Sequence, residues 1–158
     1  MLFEKGEIEN DRLFFEVSRN AAWLTNISEL SENREDFRLL SPILFKTGIE
    51  KMGGEIFISG TLSFELLSPC SRCLKPEKNS VSHEISSFVP LPPNESKIDI
   101  SDDMREQVAM AIPEKTVCAK NCKGLCISCG ADLNENSCKC ERREVVPRLK
   151  ALKEIRLS

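Results

Sequence analysis

Between residues 11 and 18, Leu13, Phe15 and Val17 fall on one side of the chain and Arg12, Glu16 and Ser18 on the other. That period of two predicts a half-buried strand. Asn20 then offers an N-cap to a short helix in which Trp23, Ile27 and Leu30 share one face. Farther on, Phe37, Leu39, Ile43, Phe45 and Ile49 occupy odd positions around Pro42, an extended segment with a break or edge position at the proline. Gly53-Gly54 predicts a tight turn. After it, Ile56, Ile58, Leu62, Phe64 and Leu66 alternate with Glu55, Ser59, Thr61, Ser63 and Glu65, a long strand with a bulge or bend expected at Gly60.

Beyond the connection from Ser68 to Asn79, Val81, His83, Ile85 and Val89 repeat the alternation and predict the antiparallel partner strand. Pro90-Leu91-Pro92-Pro93-Asn94 reads as an irregular linker. Ile98 and Ile100 alternate briefly before Ser101, an expected helix cap with Asp102 and Asp103 at the positive end of the helix dipole. Met104, Val108, Ala111 and Ile112 form the apolar stripe of that helix, and Pro113 ends it. Residues 114–141 are cysteine-rich and poor in apolar side chains, and Pro147 opens a short terminal helix carrying Leu149, Leu152 and Ile155. Consecutive antiparallel strands followed by helices predict an α+β fold: long antiparallel strands, a few short helices and a Cys-rich C-terminal region. Two parts are expected, residues 1–113 and 114–158, packed as one compact unit.

Composition narrows the class. With 158 residues, 41% of them hydrophobic and 30% charged, the chain can bury one ordinary core. No apolar run approaches the ~18 residues of a membrane-spanning helix, so no membrane association is expected. The acidic start Met1-Leu2-Phe3-Glu4-Lys5-Gly6-Glu7 does not read as a signal peptide, so a cytoplasmic, reducing compartment is expected. A net charge of −3 argues against wholesale coating of a polyanion. That charge is unevenly spread. Residues 1–113 hold 12 Lys and Arg against 19 Asp and Glu, a net of −7, while residues 114–158 hold 10 against 6, a net of +4. Six of the eight cysteines lie in that basic third.

The cysteines carry the chemistry. They run Cys70-x2-Cys73, then Cys118-x3-Cys122-x3-Cys126-x2-Cys129-x8-Cys138-x-Cys140. Two thiolates separated by two residues reach one tetrahedral ion from a single turn, and each structural zinc takes four such ligands. Eight ligands therefore suit two structural Zn2+ ions. The favoured division groups Cys126, Cys129, Cys138 and Cys140, whose 15-residue span closes at low entropic cost, and leaves Cys70, Cys73, Cys118 and Cys122 as the other set. Other divisions remain open, as do an iron–sulfur cluster, disulfides and a redox pair. Eight zinc-bound thiolates with two ions move the net charge from −3 to about −7.

The single histidine, His83, shares the apolar face of its strand and reads as a buried, hydrogen-bonded side chain, with a substitute ligand near Cys70 as the sharper alternative. An all-cysteine set leaves no open coordination position, and no nucleophile elbow, phosphate loop or dinucleotide fingerprint is present. No enzymatic activity and no small-molecule substrate are expected. Basic side chains cluster near the thiolates: Arg72, Lys75, Lys120, Lys123 and Lys139, then Arg142, Arg143, Arg148, Lys150, Lys153 and Arg156. They suit either the residual negative charge of a zinc–tetrathiolate centre or phosphate contacts. No aromatic residue follows Phe88, so any RNA contact by this third goes to phosphates or shape rather than stacked bases.

The blocks Leu66-x3-Cys70-Ser71-Arg72-Cys73-Leu74, Ile112-Pro113-x4-Cys118-x3-Cys122-Lys123-Gly124-Leu125-Cys126-x2-Cys129-Gly130-Ala131-Asp132-Leu133-Asn134, Cys138-x-Cys140 and Pro147-Arg148-Leu149-x2-Leu152 resemble the YceD family, the bacterial large ribosomal RNA subunit accumulation proteins, related to a plastid group. The resemblance covers most of the chain and matches every cysteine. It departs at Val146, where the family pattern often carries Asp before the Pro-Arg pair. It implies a non-enzymatic ribosome-biogenesis factor acting in 23S ribosomal RNA processing or accumulation and large-subunit assembly. The partners so implied are large-subunit ribosomal RNA or assembling ribosomal proteins. The binding residues proposed for them are Arg72, Lys75, Lys123, Arg142, Arg143, Arg148 and Lys150. The competing expectation is a zinc-stabilised protein–protein adaptor without direct RNA contact, working through its acidic N-terminal part.

Overall fold

The computed structural model describes residues 1–8, 12–25, 27, 30, 35–91, 94 and 96–140. The expected terminal helix, with Arg142, Arg143, Arg148 and Lys150, lies outside the described residues. Among them the chain runs β1 (Leu2–Glu4), one helical turn α1 (Lys5–Ile8), β2 (Leu13–Arg19), a 3-10 turn (Ala21–Trp23), β3 (Arg38–Leu39), β4 (Ile43–Met52), β5 (Glu55–Pro69), β6 (Pro76–Pro90), β7 (Lys97–Asp99) and α2 (Ser101–Ala111). Among the described residues the fold is mostly antiparallel sheet, with α2 and the short α1 and 3-10 turns as its helical parts.

The alternations become one meander, β2–β4–β5–β6, every pair antiparallel. β3 pairs with β5 at Leu66 and Leu67, continuing the line of β4 past the break around Pro42. β5 and β6 are each 15 residues long and pair throughout, from Glu55↔Pro90 to Pro69↔Pro76. The connection expected over Ser68–Asn79 therefore shrinks to residues 70–75. Ser68 and Asn79 broke the apolar alternation because their core-facing side chains bond each other and Thr116 rather than packing in oil. Asn79 Nδ2 donates to Ser68 Oγ at 2.9 Å, and Ser68 Oγ lies 3.2 Å from Thr116 Oγ1.

The expected bulge at Gly60 is absent: the register is one-to-one there, Gly60↔Thr47 and Thr61↔Lys46. The glycine serves a close approach instead, since a Cβ would lie 2.2 Å from the Lys46 carbonyl oxygen. The helix expected after Asn20 is also corrected. A 3-10 turn forms at Ala21–Trp23, Asn20 makes no side-chain cap bond, and Leu24 leaves helical geometry while fully buried. Burying Leu24 alongside Ile27 and Leu30 takes precedence over helical periodicity. Ser101 is the first residue of α2, not its cap; Asp99 Oδ1 accepts from Ser101 N at 2.9 Å. α2 ends at Ala111, with Ile112 extended ahead of Pro113.

One face of the sheet is the core. Phe45, Ile49, Ile56, Ile58, Leu62 and Leu66 are fully buried and packed with Ile100, Met104 and Val108. Arg105 fastens α2 to the 3-10 turn, its Nε donating to Trp23 O at 3.0 Å with the guanidinium 5.0 Å from the indole. A second, small sheet pairs β1 with β7, linking chain segments that sequence patterning did not connect. His83 sits half-buried opposite Leu62 and belongs to neither cysteine group.

Candidate metal centres

The hairpin β5–β6 closes through Cys70-Ser71-Arg72-Cys73-Leu74-Lys75. Cys70 N donates to Lys75 O at 2.8 Å and Leu74 N to Cys70 O at 2.9 Å. Leu74 has φ 61°, a left-handed conformation that glycine usually supplies. The second knuckle, Cys126-Ile127-Ser128-Cys129-Gly130-Ala131, repeats the pattern. Cys126 N donates to Ala131 O and Gly130 N to Cys126 O, both at 2.8 Å, and Gly130 has φ 74°.

Each knuckle meets two further cysteines. The sulfurs of Cys70, Cys73, Cys118 and Cys122 lie within 4.8 Å of one another, and so do those of Cys126, Cys129, Cys138 and Cys140. This is the division favoured by spacing. Within the first group, Cys73 Sγ is 3.6 Å from Cys118 Sγ and Cys70 Sγ is 4.0 Å from Cys122 Sγ. A tetrahedron of Zn–S bonds about 2.3 Å long has edges of about 3.8 Å, so the donor set fits a tetrahedral ion. All eight cysteines are free of disulfides. The first group is largely buried, with Cys70 at 0%, Cys73 and Cys122 at 5% exposure and Cys118 half-buried, whereas in the second Cys126 is buried but Cys129 and Cys140 are exposed.

Backbone amides support the thiolates. Arg72 N and Cys118 N each donate to Cys70 Sγ at 3.4 Å. The amides of Cys118, Cys73 and Arg72 lower the Cys70 thiol to about 6, and those of Cys129 and Ser128 lower Cys126 to about 6. Neighbouring sulfurs act the other way. Cys122 and Cys73, with burial, push Cys118 up to about 12, and Cys129, with burial, pushes Cys140 up to about 12. Without a cation, four close sulfurs cannot all be thiolates; a bound dication takes the place of those protons.

The first group is tied to the sheet by a segment that sequence reading left as plain loop. Ser71 N donates to Thr116 O at 2.8 Å, Thr116 N to Ser71 Oγ at 3.2 Å, and Thr116 Oγ1 to Pro69 O at 2.8 Å. Polar residues at the core phase of β5 and β6 were the one hint of this seam.

Two of the expected partner-binding cations are engaged within the fold. Arg72 Nη1 donates to Cys122 O at 2.8 Å and to Lys120 O at 3.4 Å, strapping the knuckle to the 118–122 loop. Lys75 Nζ pairs with Asp132 Oδ2 at 2.9 Å and with Glu135, and both carboxylates raise its pKa above the ordinary lysine value. Lys123 has its backbone N–H held by Asn134 Oδ1 at 2.7 Å. Its side chain is exposed without an ion-pair partner among the described residues, as are those of Lys120 and Lys139. Asp132 and Asn134 stand in the block that carries the family resemblance, but their contacts with Lys75 and Cys122 could not be read from it. No described helix is long and apolar enough to cross a membrane.

The family model described as large ribosomal RNA subunit accumulation protein YceD matches residues 58–156, which include both cysteine groups. The chain belongs to the YceD family. It is 43% identical over 53 residues to "Large ribosomal RNA subunit accumulation protein YCED homolog 1, chloroplastic" of Arabidopsis thaliana, 34% of this chain and 16% of that protein. The Zea mays protein of the same description is 46% identical over 55 residues, 34% of this chain and 19% of its own length. An uncharacterized protein of Mycobacterium bovis is 23% identical over 100 residues, 54% of this chain and 48% of that protein. The chain thus spans less than half the length of these curated relatives. No solved structure matches it significantly.

Proposed function

We propose that this YceD-family chain is a non-enzymatic ribosome-biogenesis factor that promotes 23S ribosomal RNA processing or accumulation and large-subunit assembly. It works in a ribosome-containing compartment, the cytoplasm by the sequence reading. Two structural zinc ions brace it, one held by Cys70, Cys73, Cys118 and Cys122 and the other by Cys126, Cys129, Cys138 and Cys140. Bound zinc supplies folding free energy to residues 114–140, which have few apolar side chains of their own. The observation that carries the reading is the family match across both four-sulfur groups.

The basic, metal-braced third makes the contact with ribosomal RNA or an assembling ribosomal protein. Lys120, Lys123 and Lys139, exposed around the knuckles, join Arg142, Arg143, Arg148 and Lys150 of the following segment. Arg72 and Lys75 serve this surface indirectly, by holding the knuckle in shape. Binding of 23S ribosomal RNA fragments measured over a salt series is the test, because phosphate contacts make affinity fall steeply with salt. Replacing Arg142, Arg143, Arg148 and Lys123 by Ala should flatten that salt dependence and reduce ribosome association. Unchanged binding overturns the basic-face reading. Metal analysis of the purified chain that finds neither zinc nor iron overturns the metal reading.

A protein–protein adaptor is the second reading. It is favoured by the outer face of the sheet, where Phe14 (70% exposed) and Phe88 (55%) stand in solvent on the acidic part of the chain. Crosslinking in cells that recovers protein and no ribosomal RNA selects it.

A further inference from the structure

Between Cys129 and Cys138 the loop of the second cysteine group turns back onto the first. Asp132 Oδ1 accepts from Asn134 N at 2.9 Å and from Asn134 Nδ2 at 2.8 Å. Asn134 Nδ2 also donates to Cys122 Sγ at 3.4 Å, while Asn134 Oδ1 accepts from Lys123 N at 2.7 Å. Leu133 N donates to Gly124 O at 2.9 Å beside them. The other Asp132 oxygen meets Lys75 at 2.9 Å, and the carbonyl of that same lysine holds Cys70 N at 2.8 Å. A residue four positions before Cys138 thus touches a sulfur of the other group, and its neighbour grips the other group's knuckle.

The shape of this loop depends on the second group. One end is set by Gly130 N on Cys126 O and Cys126 N on Ala131 O, and the other by Cys138 joining its three partners. Only Ala131 and Leu133 offer apolar contact between them, too little to order the turn alone. Closing the second group fixes both ends of this turn and, with the bonds of Leu133 N to Gly124 O and of Asn136 N to Asp132 O, holds Asn134 at Cys122. An N–H on a metal-bound thiolate orients the sulfur and moderates its charge.

We propose that the two cysteine groups bind metal as a coupled pair, with Asn134 as the positioning residue that transmits occupancy of the second to the first. The proposal rests on the reading of both groups as metal sites. Coupling between two binding equilibria is reciprocal: whatever factor the second site adds to the first, the first adds to the second.

The test is chelator competition on the full chain loaded with cadmium-113, which reports each four-sulfur site as its own resonance. In Asn134→Ala, first-site affinity should fall about 10-fold, the scale of a lost partner to a metal ligand, with both resonances still present. Cys138→Ser with Cys140→Ser, which empties the second site, should weaken the first by the same factor. Cys118→Ser with Cys122→Ser should do so in the opposite direction. Asn134→Asp keeps the oxygen for Lys123 N and removes the donor to sulfur, so it should follow Asn134→Ala. First-site affinity unchanged in Asn134→Ala overturns the proposal, even where the cysteine variants do not fold. Wild-type behaviour of Asn134→Asp also overturns it, assigning Asn134 to capping the turn only. A wild-type chain that takes up no cadmium fails the metal reading itself, before any variant is compared.

Discussion

The two knuckles have nearly the same backbone and opposite surroundings. Each closes with a bond from the fifth residue's N–H to the first cysteine's carbonyl, and each places that fifth residue at positive φ. The first sits on the end of the β5–β6 hairpin and draws its other cysteines from 45 and more residues away, Cys73 to Cys118. The second gathers all four ligands from one 15-residue stretch and leaves two of them in solvent. The same four-cysteine set thus occupies two different settings. One centre joins distant parts of the chain; the other shapes a loop. Burial follows from that difference, because a centre between a sheet and a crossing segment is covered by both.

Removing a ligand from each centre should give the largest contrast. Cys122→Ser should release the 114–122 segment from the sheet and lower amide-exchange protection at Cys70 and Ser71, whose N–H groups bond Lys75 O and Thr116 O. Cys140→Ser should leave protection in β4 and β5 intact and expose thiols only in 126–140. Equal loss of sheet protection in both variants removes the distinction between the two centres.

Acidification comes next. If both groups hold metal as proposed, protons compete for the same sulfurs, and metal affinity should fall as pH falls, more steeply below about 6, where Cys70 and Cys126 also take up protons. The second centre, with Cys129 and Cys140 exposed, should lose its metal to a chelator dye first. Simultaneous release indicates that exposure does not govern exchange.

Thr116→Val should act on the first centre alone. It removes the hydroxyl that bonds Ser68 and Pro69, at a cost of about 1–3 kcal/mol in denaturant melts. With the first site kept saturated, metal affinity of the second centre should stay as in the wild type.

The smallest effect concerns the paired fifth residues. Leu74 bears a left-handed backbone at φ 61°, so Leu74→Gly should stabilise by about 1 kcal/mol. The mirror change Gly130→Leu, with nothing within 4 Å of the added Cβ, should cost about 1–2 kcal/mol from conformation alone. A melt in which Leu74→Gly destabilises shows that packing of Leu74, 62% exposed, outweighs its backbone strain.

Much of the architecture was legible in the sequence. Leu13 to Val17, Ile43 to Ile49, Ile56 to Leu66 and Val81 to Val89 alternate because each of these strands buries one face. What escaped lay where non-local contact overrules local pattern. Ser68 and Asn79 looked like loop because they bond each other and Ser68 bonds Thr116, far along the chain. Leu2–Glu4 is too short to mark a strand until β7 lies beside it. Leu24, off the helical stripe, takes a core position that ends the turn begun at Ala21.

The cysteine groups divide the same way. Spacing favoured their membership, since the 15-residue span closes at low entropic cost, but it left other divisions open until the structure brought the sulfurs together. Only the tertiary structure decided that the first is largely buried and the second open. It also decided that Arg72 and Lys75 brace the knuckle, and that Asn134 reaches across to Cys122. Ligand spacing is a local property of the chain. The partner of a long cation, or of an amide 3.4 Å from a sulfur, is set by where segments far apart in sequence meet.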